Sequence, residues 1–137
     1  MRCVPFAILL AAVTVLVYFS WEPAAPRPAE IIWRSALPSC GDAAPRPGTE
    51  PQEPLTPSVI DCLSDGRQRG GGEFALTLHT IEGDPIVYYL RVAAGTNEVE
   101  VLVDSSQDRF GSGPGWGRVT CTIVELSPDL LRDCMAG

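Results

Sequence analysis

The stretch Gly70-Gly71-Gly72-Glu73-Phe74-Ala75-Leu76-Thr77-Leu78-His79 is where the chain changes period. Before it, Val59, Ile60, Cys62 and Leu63 share one helical face. Thr56 and Ser58 are candidate N-caps there, and Pro57 suits a first helical position. After the glycines, Phe74, Leu76 and Leu78 alternate with Ala75, Thr77 and His79, as a half-buried strand requires. A short helix followed at once by a strand of alternating pattern predicts an α+β domain.

Further strands follow toward the C-terminus. Glu82-Gly83-Asp84-Pro85 reads as a turn into a β-rich run from Ile86 to Ala93, and Ala94-Gly95-Thr96-Asn97 as a second turn. Val99, Val101 and Val103 then alternate with Glu98, Glu100 and Leu102. A glycine-rich loop from Ser105 to Gly117 precedes a fourth strand, Arg118 to Leu126, and Ser127-Pro128-Asp129 opens a short C-terminal turn or helix. The expected domain, residues 58–137, is one short helix packed on a four-stranded antiparallel β-meander.

Toward the N-terminus, residues 22–57 read as a proline-rich tether and loop. Glu22 to Glu30 is proline-spaced and suits an extended spacer. Ala43 to Pro57, with Pro45, Pro47, Pro51, Pro54 and Pro57, suits a surface loop and neither a helix nor an inner strand. Ile31-Ile32-Trp33 interrupts the spacer with apolar bulk expected to dock near Cys40. Residues 1–21 read as a membrane anchor or signal peptide. The uncharged run Val4 to Trp21 would span about 27 Å as a helix. Arg2 before it sets the N-terminus inside, and Tyr18 and Trp21 suit an interfacial belt. Ala24-Ala25 is followed at once by Pro26, which suits a signal-peptidase site poorly. The expectation is a single-pass protein of a bacterial cell membrane with its C-terminal domain extracytoplasmic. The alternative is a secreted form after signal cleavage.

A domain of roughly 80 residues buries little apolar surface and usually needs a staple. Four of the five cysteines, Cys40, Cys62, Cys121 and Cys134, lie beyond the apolar run, an even number that fits disulfides. Three pairings are open, and Cys40–Cys62 with Cys121–Cys134 closes the shortest loops. Close C-x-x-C pairs for zinc are missing. The formal charge of −7 makes nucleic acid and anionic lipid poor partners, and all ten basic residues are arginine.

Two segments, Thr80-Ile81-Glu82-Gly83-Asp84-Pro85-Ile86 and Asp104-Ser105-Ser106-Gln107-Asp108-Arg109-Phe110-Gly111, followed by a strand with Cys121, carry a resemblance. Together they resemble a domain family of unknown function in exported proteins and lipoproteins of Gram-positive bacteria, in which a helix precedes a Glu-Gly-Asp-Pro-Ile turn and an Asp-Arg-Phe-Gly loop. The resemblance covers residues 56 to 126. It implies export and the helix-then-strands order, and it brings no activity. The chain departs from the lipoprotein members because no cysteine stands at the end of the apolar run.

Glu82, Asp84, Asp104 and Asp108 form the best polar cluster, since neighbouring strands could bring the two pairs together at their ends. Such oxygens could bind calcium as a structural ion, or serve a carboxylate-based metal-dependent hydrolase. Ordinary turn chemistry, with Arg109 pairing a nearby carboxylate, is the plainer account. His79, the single histidine, lies opposite the Phe74 face and reads as an exposed or edge residue. The glycine-rich segments lack the Gly-Lys-Ser/Thr ending of a phosphate-binding loop. Phe110 and Trp116, between glycines, could form a recognition surface or cover the end of a small core. No cofactor is implied. The expected function is a non-enzymatic binding or interaction module for an unknown envelope protein or cell-wall component.

Overall fold

The computed structural model describes residues 27–46, 55–113 and 115–136. The run Val4 to Trp21 lies outside the described residues, as does most of the second proline-rich stretch. Among the described residues no helix is long and apolar enough to cross a membrane. In chain order the elements are α1 (Ala29–Ile32), β1 (Ser39–Ala43), α2 (Pro57–Arg69), β2 (Gly72–His79), β3 (Pro85–Val92), β4 (Glu98–Asp104), β5 (Trp116–Thr122) and α3 (Leu130–Met135). The fold is α+β, with a five-stranded sheet in the order β1-β2-β3-β4-β5.

The expected meander is present in β2 to β5, all antiparallel neighbours. The expected strand number needs correction, from four to five. Ser39–Ala43, inside the stretch read as tether and loop, pairs parallel with β2 and makes the sheet mixed. Its register shifts between Ser39 and Asp42, and Gly41 there has φ of +100°, a value that favours glycine. A parallel neighbour requires a crossover, and α2 supplies it.

Helix α2 starts as its sequence dictates, with Thr56 at the N-cap and Pro57 in the first turn. It ends at Gly70, φ +135°, whose N–H donates to the Gly66 carbonyl. A Cβ on Gly66 would stand 2.7 Å from the Gly71 carbonyl oxygen, and one on Gly71 2.9 Å from that of Val92. The glycines thus let the helix end fold directly back against the sheet.

One face of the sheet carries the main core. Phe74, Leu76, Leu90, Val92, Val99 and Val101 are buried there with Leu63 of α2 and Leu130 and Cys134 of α3. Burying each large side chain is worth about 2 kcal/mol. Both disulfides brace this side: Cys40–Cys62 ties β1 to α2, and Cys121–Cys134 ties β5 to α3. By loop-closure entropy each stabilises by about 3 kcal/mol.

The opposite face holds a second, smaller cluster of Ile31, Tyr89 and Leu102, with Trp116 packed against it. Strand β3 is therefore buried on both sides, and Tyr89, Leu90, Arg91 and Val92 all belong to the interior. The expected docking of Ile31-Ile32-Trp33 near Cys40 is corrected here. Only Ile31 is buried, on the face away from the cluster that Cys40 joins, while Ile32 and Trp33 are exposed.

Candidate functional site at the loop end of the sheet

Two connections sit at the same end of the sheet, the turn 80–84 between β2 and β3 and the loop 105–115 between β4 and β5. The turn closes on itself: the Thr80 N–H donates to the Asp84 carbonyl, and the Asp84 N–H to Thr80 Oγ1. Gly83, φ +89°, makes that reversal without strain. The loop is pinned at its base by the Ser105 N–H on the Gly115 carbonyl.

Asp84 joins the two. Its Oδ1 accepts from Arg109 Nε at 3.0 Å and lies 2.9 Å from Nη2, while Oδ2 accepts from the Arg109 N–H at 3.1 Å. These bonds, the side-chain one first, hold the Asp84 carboxyl below the usual carboxylate range. Asp84 is buried, whereas the Arg109 side chain is 69% exposed. A carboxylate fixed by one guanidinium and one backbone amide has most of its acceptor sites taken from within the domain.

The other expected acids are engaged separately. Asp104, buried at the end of β4, accepts from Ser106 Oγ at 2.6 Å and from its N–H at 3.1 Å. Its second oxygen lies 3.0 Å from Arg27 Nε, an ion pair without hydrogen-bond alignment. Asp108 Oδ1 accepts from the N–H groups of Phe110 and Gly111, capping its own turn. Glu82 is exposed in the turn. The acids follow the plainer of the two accounts, turn capping and an Arg109 pair. Among the described residues no group of three or more His, Cys, Asp or Glu side chains is placed to hold a metal ion.

The two loop aromatics divide. Trp116 packs with Ile31, Tyr89 and Leu102 and closes the small core. Phe110 is 72% exposed, with the Arg109 guanidinium 5.8 Å from its ring centre. Ile81, at the tip of the other connection, is fully exposed at 100%. An apolar pair is therefore displayed on loops that Asp84 and Arg109 tie together. His79 is half-buried, and its Nδ1 is enclosed without a hydrogen-bond partner.

Two features went unread in the sequence. A ladder of alternating charge crosses the face opposite α2: Arg34, Glu73, Arg91, Glu100 and Arg118. Glu73, Arg91 and Glu100 are direct cross-strand partners, which alternation alone marked only as outward positions. Arg34 grips Glu73 with Nε and Nη2 at 2.9 and 2.7 Å, and its guanidinium stacks 4.0 Å over Tyr89. Burial opposes ionisation of Glu73, yet the Arg34 hydrogen bond and both arginine charges leave its carboxyl below the usual value.

The second is a cleft of about 630 Å³ at the far end of the sheet, lined by Ser64, Arg67, Gln68, Thr96, Asn97 and Glu125 among others. Arg67 donates to the carbonyls of Val124 and Ile123 at 2.9 and 2.6 Å, and its Nε is enclosed without a partner. Burial lowers its pKa. Those bonds tie the segment after β5 to α2. An arginine in the last turn of a helix carries no signal of such a contact beyond its favourable place in the helix dipole.

No family model matches the chain, and no curated protein or solved structure matches it.

Proposed function

We propose that this chain is a non-enzymatic interaction module of the bacterial envelope, acting outside the cytoplasm and contacting another envelope component through its loop end. The observation that carries the reading is the division of labour at that end. Asp84, Asp104 and Asp108 are taken up by internal cations, hydroxyl and amides, while Ile81 and Phe110 stand free on loops those same acids hold in place. Exposed apolar side chains on a fixed frame suit recognition better than proton transfer, which needs an acid or base free to exchange. Two disulfides support an oxidising compartment. The resemblance noted above supports export.

The test replaces Phe110 with the photo-crosslinking residue p-benzoylphenylalanine in the full chain, in producing cells. Illumination should give an adduct from position 110 and none from the same residue placed at Asn97, at the opposite end. Absence of any adduct at 110, with the protein folded, overturns the reading. Excess calcium should leave the melting temperature of the wild type unchanged, and a rise would favour a structural ion instead.

A further inference from the structure

The segment 27–37 crosses the sheet in one direction. Arg27 is paired with Asp104, at the end of β4, and Pro28 lies beside the backbone of Gly115. Further along, Arg34 reaches Glu73, Ser35 accepts from Arg91, and Leu37 reaches Gly71, at the opposite end of the same sheet. The chain thus enters the domain at the end that carries the turn 80–84 and the loop 105–115.

Six residue steps separate Arg27 from Trp21, the last residue of the apolar run. Even fully extended they reach about 20 Å. From the level of Asp104 the sheet continues through β4 to the far turn 93–97, about 25 Å away at the strand rise. A tether that short, entering beside Asp104, favours presentation of the loop end to the membrane over the far end while Arg27 remains paired with Asp104. In the other direction, Asp104 is level with Val87, and the turn 80–84 lies beyond Pro85, two residues further out. The exposed Ile81 and Phe110 therefore project past the point of entry.

We infer that the envelope component met by the loop end is the outer surface of the lipid bilayer in which the chain is anchored, with Ile81 and Phe110 seated among the headgroups. The inference rests on the function proposed above and on the reading of Val4 to Trp21 as an uncleaved anchor, and it names the partner. The named charges select the kind of surface. Glu82, Asp84, Asp104 and Asp108 outnumber Arg27 and Arg109, so the end suits a zwitterionic leaflet and is repelled by a strongly anionic one. Aromatic and branched apolar side chains at a polar boundary are the usual interfacial anchors.

The test uses the full chain in nanodiscs of phosphatidylcholine and phosphatidylethanolamine, read by amide hydrogen exchange. Amides of 80–84 and 105–113 should exchange about tenfold more slowly than in the double variant I81S/F110S in the same discs, with the turn 93–97 equal in both. Equal exchange at the loop end in wild type and variant overturns the inference. If the discs show no protection while position 110 crosslinks to a protein or wall polymer in cells, the interaction reading stands and the bilayer is excluded as its partner. If neither occurs, both fall. Recovery of the chain only as a form lacking residues 1–21 removes the tether and overturns the inference as well.

Discussion

The two faces of the sheet are held by different forces. Under α2 and α3 lie close-packed aliphatic and aromatic side chains and both disulfides, a side with almost no ionised group in its interior. Across the sheet, one short segment covers Ile31, Tyr89 and Leu102, and charge does the rest, through Arg34, Glu73, Arg91, Glu100 and Arg118 in alternation. The first side owes its stability to removal from water and to constraint of the unfolded chain. The second depends on each ion keeping its partner, since a desolvated charge is tolerable only when paired. Reductant should therefore attack one face and acid the other.

The largest effect should come from the covalent side. Reducing both disulfides, or replacing the four cysteines with serine, removes about 6 kcal/mol by loop-closure entropy, comparable to the whole stability of a small domain. Chemical denaturation should show little or no folded baseline. A cooperative transition with an unchanged midpoint would mean that apolar packing alone suffices.

Arg91 is the corresponding weak point of the charged face. Its side chain is 7% exposed and joins Glu73 at 2.9 Å, Glu100 and the Ser35 hydroxyl at 3.0 Å. Arg91→Ala should cost about 3 kcal/mol, because it removes the buried cation shared by two carboxylates and leaves Glu73 to Arg34 and Glu100 to the exposed Arg118. The triple variant Glu73→Gln, Arg91→Met, Glu100→Gln should regain much of that loss in denaturant midpoint. If it does not, packing of the arginine stem, and not the charge, is what the face requires.

Acid separates the faces further. Glu73 is held below its ordinary value of 4.5, so its contribution is fully present above that pH and is lost as pH falls through the depressed folded value. The melting temperature should fall below about pH 4.5 in the wild type and more shallowly in Glu73→Gln. Asp84, also held low, acts in the same direction but only below its ordinary value of 3.8. Parallel curves for wild type and Glu73→Gln would sink the assignment.

The helix-covered face was legible because its residues obey simple periods. Val59, Ile60 and Leu63 repeat on a helix, Phe74, Leu76 and Leu78 repeat on a strand, and the glycines between them mark the change. The cysteine pairing followed the shortest loops. Strand β1 was not legible, because Ser39-Cys40-Gly41-Asp42-Ala43 is an edge strand that pairs on one side only and shows no apolar alternation. Nor was the charged face, since Arg34, Glu73, Arg91, Glu100 and Arg118 are scattered through the sequence and each reads alone as a solvated position. At the candidate site, the Asp84–Arg109 link spans 25 residues, and only the register of β2 to β4 brings its ends together. The sequence marked both loops and offered turn chemistry with Arg109 pairing a nearby carboxylate, but not that Asp84 would be the acid it takes.

The smallest effect belongs to the ladder's outer rung, and its size tests how far the contrast between the faces extends. Arg118 meets Glu100 at 3.1 Å, but its side chain is 55% exposed, on the edge strand β5. Water and salt screen a pair at that exposure, and the long side chain loses rotamer freedom when held. A double-mutant cycle with Arg118→Ala and Glu100→Ala should return a coupling of about 0.5 kcal/mol, shrinking further in molar salt. The Arg91 pairs, sealed beneath the covering segment, should keep their coupling under the same salt. A large, salt-resistant coupling at Arg118 would mean that the ladder is protected from solvent to its rim, and that the charged face is as closed as the apolar one.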